Sequence, residues 1–151
     1  MTEAKNILTF KSGIPGLPEE FKEFKFIALQ ENSAFYLLQS VLDEEICFIL
    51  VDPFIFFPGY EFKLPEEDRN KIELQDIKDV AVFCIVNASR GIKEATVNLC
   101  APLVVNTAKR LARQIVLNDG GHNLRQPLPA AAAARGGTAC AGVVQKERPD
   151  Y

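Results

Sequence analysis

Apolar segments of strand length recur along this chain, and the links between them are too short for crossovers. Runs rich in Val, Ile, Phe and Leu stand at 25–31, 34–40, 45–51, 60–63, 80–87, 95–100, 103–107 and 113–117. Each fits the span of roughly 4–8 residues expected of a strand. Glu31-Asn32-Ser33 suits a tight hairpin, and Asp43-Glu44 suits the next one. A parallel connection needs about a dozen residues or more. The pattern therefore predicts an all-β, antiparallel sheet curled into a barrel or a sandwich. Ile14-Pro15-Gly16 predicts a type II turn with Gly16 at positive φ, and Gly13 a similar bend.

Two short helices are expected. Pro65 followed by Glu66, Glu67 and Asp68 places proline and acids at the start of a helix running to about Ile72. The stretch from Pro18 to Phe21 repeats this more briefly. From Pro129 onward alanine, glycine and polar residues dominate. Such a segment buries too little apolar surface to offset its ordering entropy. The expected organisation is one domain over 1–128 and a disordered tail over 129–151.

With 151 residues, 48% of them hydrophobic, the chain can build a core unaided. Its formal net charge is -3, which argues against broad phosphate contact and leaves room for a basic protein partner. Cys47, Cys84, Cys100 and Cys140 form no CxxC pair, and His122 is the single histidine. Metal-ligand spacing is thus absent. Cys47, Cys84 and Cys100 lie in apolar runs and read as core residues of a reduced protein. The N-terminus shows no cationic region followed by an apolar one, and no apolar run reaches membrane-spanning length. A cytoplasmic location is expected.

The segment DPFIFFPGYEF, residues 52–62, contains five of the chain's fourteen aromatics. Read as a strand, it sends Phe54 and Phe56 to one face and Ile55 and Phe57 to the other. A thin barrel buries only its interior. The second face must then be covered by local loops and the helix at 65–72, or serve as an aromatic interface. Acid pairs stand at Glu19-Glu20, Glu44-Glu45 and Glu66-Glu67. They read as solvated turn residues or as a patch attracting a basic partner. Lys109, Arg110 and Arg113 suit a hairpin with a basic tip. A nucleophile such as Cys100, Ser33 or Ser89 could in principle meet His122, but no nucleophile elbow and no HExxH string supports this. A glycine loop for phosphate is likewise missing its following helix. A small β-barrel that binds RNA is the alternative function.

The strings FKSGIPG (10–16), SAFYLLQS (33–40), DPFIFFPGYEF (52–62), TVNLCAPLVVNT (96–107) and RQIVLND (113–119), in this order, resemble the FliW family of flagellar assembly factors. The resemblance spans about residues 7–128. It implies a β-barrel-like single domain with one or two short helices, no enzymatic activity and no cofactor. It also implies a cytoplasmic protein, monomeric alone, that binds flagellin and also binds the carbon-storage regulator CsrA, antagonising its control of flagellin translation. Secretion of flagellin would free the protein to sequester CsrA. Direct nucleic-acid and membrane contact are not expected. Phe54, Phe56, Phe57 and Tyr60 are our candidates for an apolar partner surface, and Glu44, Glu45, Glu66 and Glu67 for an acidic one. The family pattern has a strand before the FKSGIPG position. Nine residues precede Phe10 here, so that strand should be short or absent. The tail beyond Leu128 has no counterpart in the pattern.

Overall fold

The computed structural model describes residues 6–29, 34–89, 91, 94–117 and 121–129. Among them nine strands follow in order: β1 (Ile7–Thr9), β2 (Glu23–Ala28), β3 (Phe35–Ser40), β4 (Cys47–Val51), β5 (Val80–Asn87), β6 (Thr96–Val97), β7 (Leu103–Asn106), β8 (Leu111–Gln114) and β9 (Gln126–Pro127). Seven of them close a ring in the order β4-β3-β2-β1-β8-β7-β5, with β5 returning to β4. β6 and β9 extend from β5. The pairings are antiparallel except β1 with β8, where Thr9 stands opposite Leu111. The Thr9 N–H donates to the Arg110 carbonyl at 2.9 Å. The first strand is therefore present, three residues long, and it closes the barrel.

The ring contacts show which face is inside. Phe26 on β2 lies 5.0 Å from Phe83 on β5, although these strands are not neighbours in the ring. That contact must cross the interior. Cross-strand partners share a face, so Phe24, Tyr36, Leu38, Phe48 and Leu50 also point inward. Phe10, Phe24, Leu38, Phe48 and Leu50 are fully buried. The opposite face of β3, β4 and β5 carries Phe35, Ile49, Val51, Cys84 and Val86, and these are fully buried as well. Every residue of β4 is buried. The barrel is thus apolar on both sides there, and something outside it must exclude water.

That cover is the excursion between β4 and β5. It contains α1 (Pro53–Phe56), α2 (Glu66–Lys71) and a 3-10 turn at Ile77–Asp79. Ile72 and Leu74 form a second apolar cluster with Val104 and Ile115, packed by Phe62 and Leu64. Phe56, Phe57 and Phe62 of this excursion pack against the main core.

Several expected elements change. The segment 60–63 is not a strand: Tyr60 closes a turn, its N–H donating to Phe57 O at 2.8 Å. Pro18 to Phe21 is a single turn and not a helix. The expected strand 95–100 shortens to β6, because Asn98 turns its side-chain oxygen onto the Cys100 N–H at 3.0 Å. The strand placed at 113–117 begins at Leu111 and ends at Gln114. Ile115 and Leu117 then bond to the carbonyls of Pro102 and Cys100, and Pro102 has no N–H to complete a ladder. Gly16 takes φ 96 and Gly13 φ 73 as expected, with the Leu17 N–H on Ile14 O at 3.0 Å closing the turn. The 31–33 hairpin and the tail from residue 130 lie outside the described residues.

Candidate functional site

The aromatic segment begins as a helical turn, which corrects the strand reading. Pro53 stands in the first turn of α1, and the Asp52 side chain accepts from Phe54 N at 3.0 Å. Asp before Pro is a capping arrangement that suits a helix start. Helical spacing replaces the two-face alternation. Phe56 turns inward and lies 5.9 Å from Phe35 on the barrel's outer face. Phe57 is half-buried against the same core. Phe54 and Ile55 turn outward, 43% and 54% exposed.

Tyr60 joins these parts. Its side chain is buried, and its hydroxyl donates to the Leu99 carbonyl at 2.8 Å. Its ring lies 5.7 Å from Phe54, 5.6 Å from Phe62 and 5.3 Å from His122. Beneath it Cys84 is held neutral. Burial pushes that thiol up to about 12, partly opposed by the Tyr60 hydroxyl bonded to it.

Beside Tyr60 runs an apolar groove of about 200 Å³. Val80, Val82 and Val104, on the outer faces of β5 and β7, form its floor, and Phe54, Tyr60, Phe62 and Leu64 wall it. Ile77 stands at its mouth, 61% exposed. Glu61 is the charged residue in its lining. Leu64 also borders an adjoining cleft of about 350 Å³ with Lys63, Glu66, Arg69 and Asn70.

The candidate residues fall into two places. Phe54 and Tyr60 line the groove, and Glu66 lies in the adjoining cleft. Phe56 and Phe57 sit beneath, against the barrel. Glu67 is exposed on α2 and pairs with Lys71 at 3.5 Å. Glu44 and Glu45 are exposed in the β3–β4 turn. That turn precedes β4, while Glu66 and Glu67 stand on α2 in the excursion that follows it. Ile77, Glu61, Leu64, Val82 and Val104 were not among the candidates. The apolar alternation of 80–87 and 103–107 held the signal for the floor.

Charged contacts fix the excursion at the barrel end. Glu73 accepts from Lys11 at 2.6 Å and from Lys109 at 2.9 Å. These two ammonium groups lower its carboxyl to about 2, the Lys11 hydrogen bond contributing most. Arg113 pairs with Asp68 on α2 and donates to Ser12 Oγ at 3.1 Å. The basic hairpin tip thus serves partly as an anchor. The Cys100 thiol donates to the His122 backbone carbonyl at 2.9 Å, tying two loops together. No helix among the described residues is long and apolar enough to cross a membrane.

The sequence pattern of the family described as FliW protein matches residues 1–128. The flagellar assembly factor FliW of Bacillus subtilis strain 168 is 41% identical over 124 residues, covering 82% of this chain and 86% of that one. That of Caldicellulosiruptor saccharolyticus is 45% identical over 121 residues, covering 80% and 78%. A crystal structure of the flagellar assembly factor FliW superposes with a TM-score of 0.76 at 33% identity, covering 83% of this chain and 87% of that one.

Proposed function

Because this chain belongs to the FliW family of flagellar assembly factors, we propose that it acts in the cytoplasm, without catalysis, by binding flagellin and CsrA in alternation. While flagellin is abundant it occupies the protein. When flagellin is exported, the freed protein sequesters CsrA and flagellin translation resumes. The switch is mass action between two complexes. The observation that carries this reading is an apolar groove with Phe54 and Ile77 exposed at its edge, on a chain with an acid excess. Phe54 and Tyr60 serve the apolar contact, with Phe56 and Phe57 supporting them from below. Glu44, Glu45, Glu66 and Glu67 serve the basic partner.

Calorimetric titration with cognate flagellin monomer, then with cognate CsrA, at two salt concentrations tests it. Tight flagellin binding that changes little with salt and CsrA binding that weakens with salt are expected. A folded sample giving heat with neither partner would remove the reading.

A further inference from the structure

We infer that the cleft along α2 binds a small free monocarboxylic acid, its carboxylate held by Lys63 and Arg69 and its apolar body laid on Leu64 and Leu74. This goes beyond the reading above and shares only Glu66 with it.

Unpaired cations mark the cleft. The excursion from Asp52 to Asp79 carries eight acidic and four basic residues. Two of the four cations are paired, Lys71 with Glu67 at 3.5 Å and Lys78 with Asp76 at 3.7 Å. The other two, Lys63 and Arg69, both line the cleft of about 350 Å³. Neither forms an ion pair among the described residues, although acids predominate in the segment around them. Glu66 lines the same cleft and pairs with neither. Arg69 is also half-buried. A guanidinium drawn partly out of water gains most from an anion that fits its fork.

The walls fix the geometry. Glu66, Arg69 and Asn70 stand at i, i+3 and i+4 of α2, so they share one face. Asp68 ties the helix to Arg113, and Glu73, just past its end, is held by Lys11 and Lys109. The Arg69 carbonyl accepts the Leu74 N–H at 2.9 Å. Leu74 is buried, and Leu64 packs against the same apolar cluster. A site held this way loses little free energy to ordering when a ligand enters.

Charge and shape choose the ligand. Two cations against Glu66 leave the lining with a net charge of +1, which one carboxylate matches. A phosphate ester carries about -1.5 to -2 at pH 7 and meets Glu66 with charge to spare. The arginine fork faces two carboxylate oxygens side by side, and the Asn70 amide supplies further donors. Leu64 and Leu74 offer surface for an apolar body to cover.

Heteronuclear NMR titration of the isotope-labelled full chain tests this, with phenylacetate as the probe. Phenethylamine carries the same ring on a cation, phenyl phosphate carries a dianion, and acetate lacks the ring. Phenylacetate should give saturable shifts at the amides of residues 63–74 and bind about threefold tighter than phenyl phosphate or acetate. Phenethylamine should shift none of them. Lys63→Gln and Arg69→Gln should each weaken phenylacetate roughly fivefold. Glu66→Gln should narrow the gap between phenyl phosphate and phenylacetate, and added salt should weaken both. Lys63 and Glu66 are exposed, so their variants should keep the spectrum and urea midpoint of the unaltered protein, and they decide the matter if Arg69→Gln does not fold. Equal shifts from phenylacetate and phenethylamine, shifts confined to amides outside 63–74, or phenylacetate binding indifferent to Lys63→Gln and Arg69→Gln would overturn the inference. Neither flagellin nor CsrA enters these titrations, so a failure here leaves the proposed function to its own calorimetry.

Discussion

Tyr60 is buried by its ring and bonded by its hydroxyl, and the two roles separate by substitution. Tyr60→Phe keeps the ring among Phe54, Phe62 and His122 but leaves the Leu99 carbonyl without its 2.8 Å donor. A loss of about 1–2 kcal/mol is expected in urea denaturation. Tyr60→Ala also opens a cavity and should cost about 3–5 kcal/mol. Phe54→Ala, at a 43% exposed position, should cost under about 1 kcal/mol. If Phe54→Ala proved as damaging as Tyr60→Ala, Phe54 would be a core residue and not a groove wall. Cys84, under Tyr60, gives an alkaline prediction. Its thiol is raised from 9.0 to about 12 by burial. The folded protein then holds a proton that the unfolded chain releases above about pH 9. The stabilisation is full below pH 9 and is lost as pH rises toward 12. Cys84→Ala should flatten that limb of the stability profile, and an unchanged slope would count against the burial. The thiolate is the reactive form, so Cys84 should react with a thiol probe only as fast as the protein unfolds.

Between residue and whole lie α1 and α2, and they differ in what holds them. α2 ends with Glu73 at φ 57, a position where glycine is usual. Leu74 N–H reaches Arg69 O at 2.9 Å and Glu73 N–H reaches Asn70 O at 3.0 Å, the bond pattern of a Schellman cap. A side chain in this conformation costs about 1–2 kcal/mol, and here it places a carboxylate between Lys11 and Lys109. Because that carboxyl is lowered from 4.5 to about 2, its contribution is complete above about pH 4.5 and is lost as pH falls through 2. Glu73→Gln should flatten the acid limb of a stability profile in this window, and high salt should shrink the difference at pH 7. Identical acid limbs would mean that the pairs hold nothing. α2 was legible from Pro65 and its acids, although Pro65 is the cap and helix begins at Glu66. α1 was missed because Phe54, Ile55 and Phe56 favour strands, while the Asp52-Pro53 start outweighed them. The groove floor lay in strands read correctly. Its walls come from residues 54–64, whose path is set by contacts with β5 and Leu99, far away in sequence.

For the whole molecule the deciding feature is closure. The alternating runs made an antiparallel barrel legible, but not which strands would seal it. The seal is β1, three residues between β2 and β8. It is short in sequence because it needs only Leu8 inward and Thr9 on the β8 backbone. Glu73 then reaches across to Lys11, just past this strand, so the cover and the seal meet at one end. A chain beginning at Phe10 would keep the turn at Ile14–Gly16 but leave the facing edges of β2 and β8 without their partner. Unpaired edges invite association with other chains, and losing buried Leu8 alone removes roughly 1.5–3 kcal/mol of burial. The truncated protein should unfold at lower urea and self-associate in sedimentation as concentration rises. Adding a peptide of residues 1–9 in excess should reverse both effects by restoring the edge. A truncated chain as stable and as monodisperse as the full one would mean that β1 lies on the barrel without closing it.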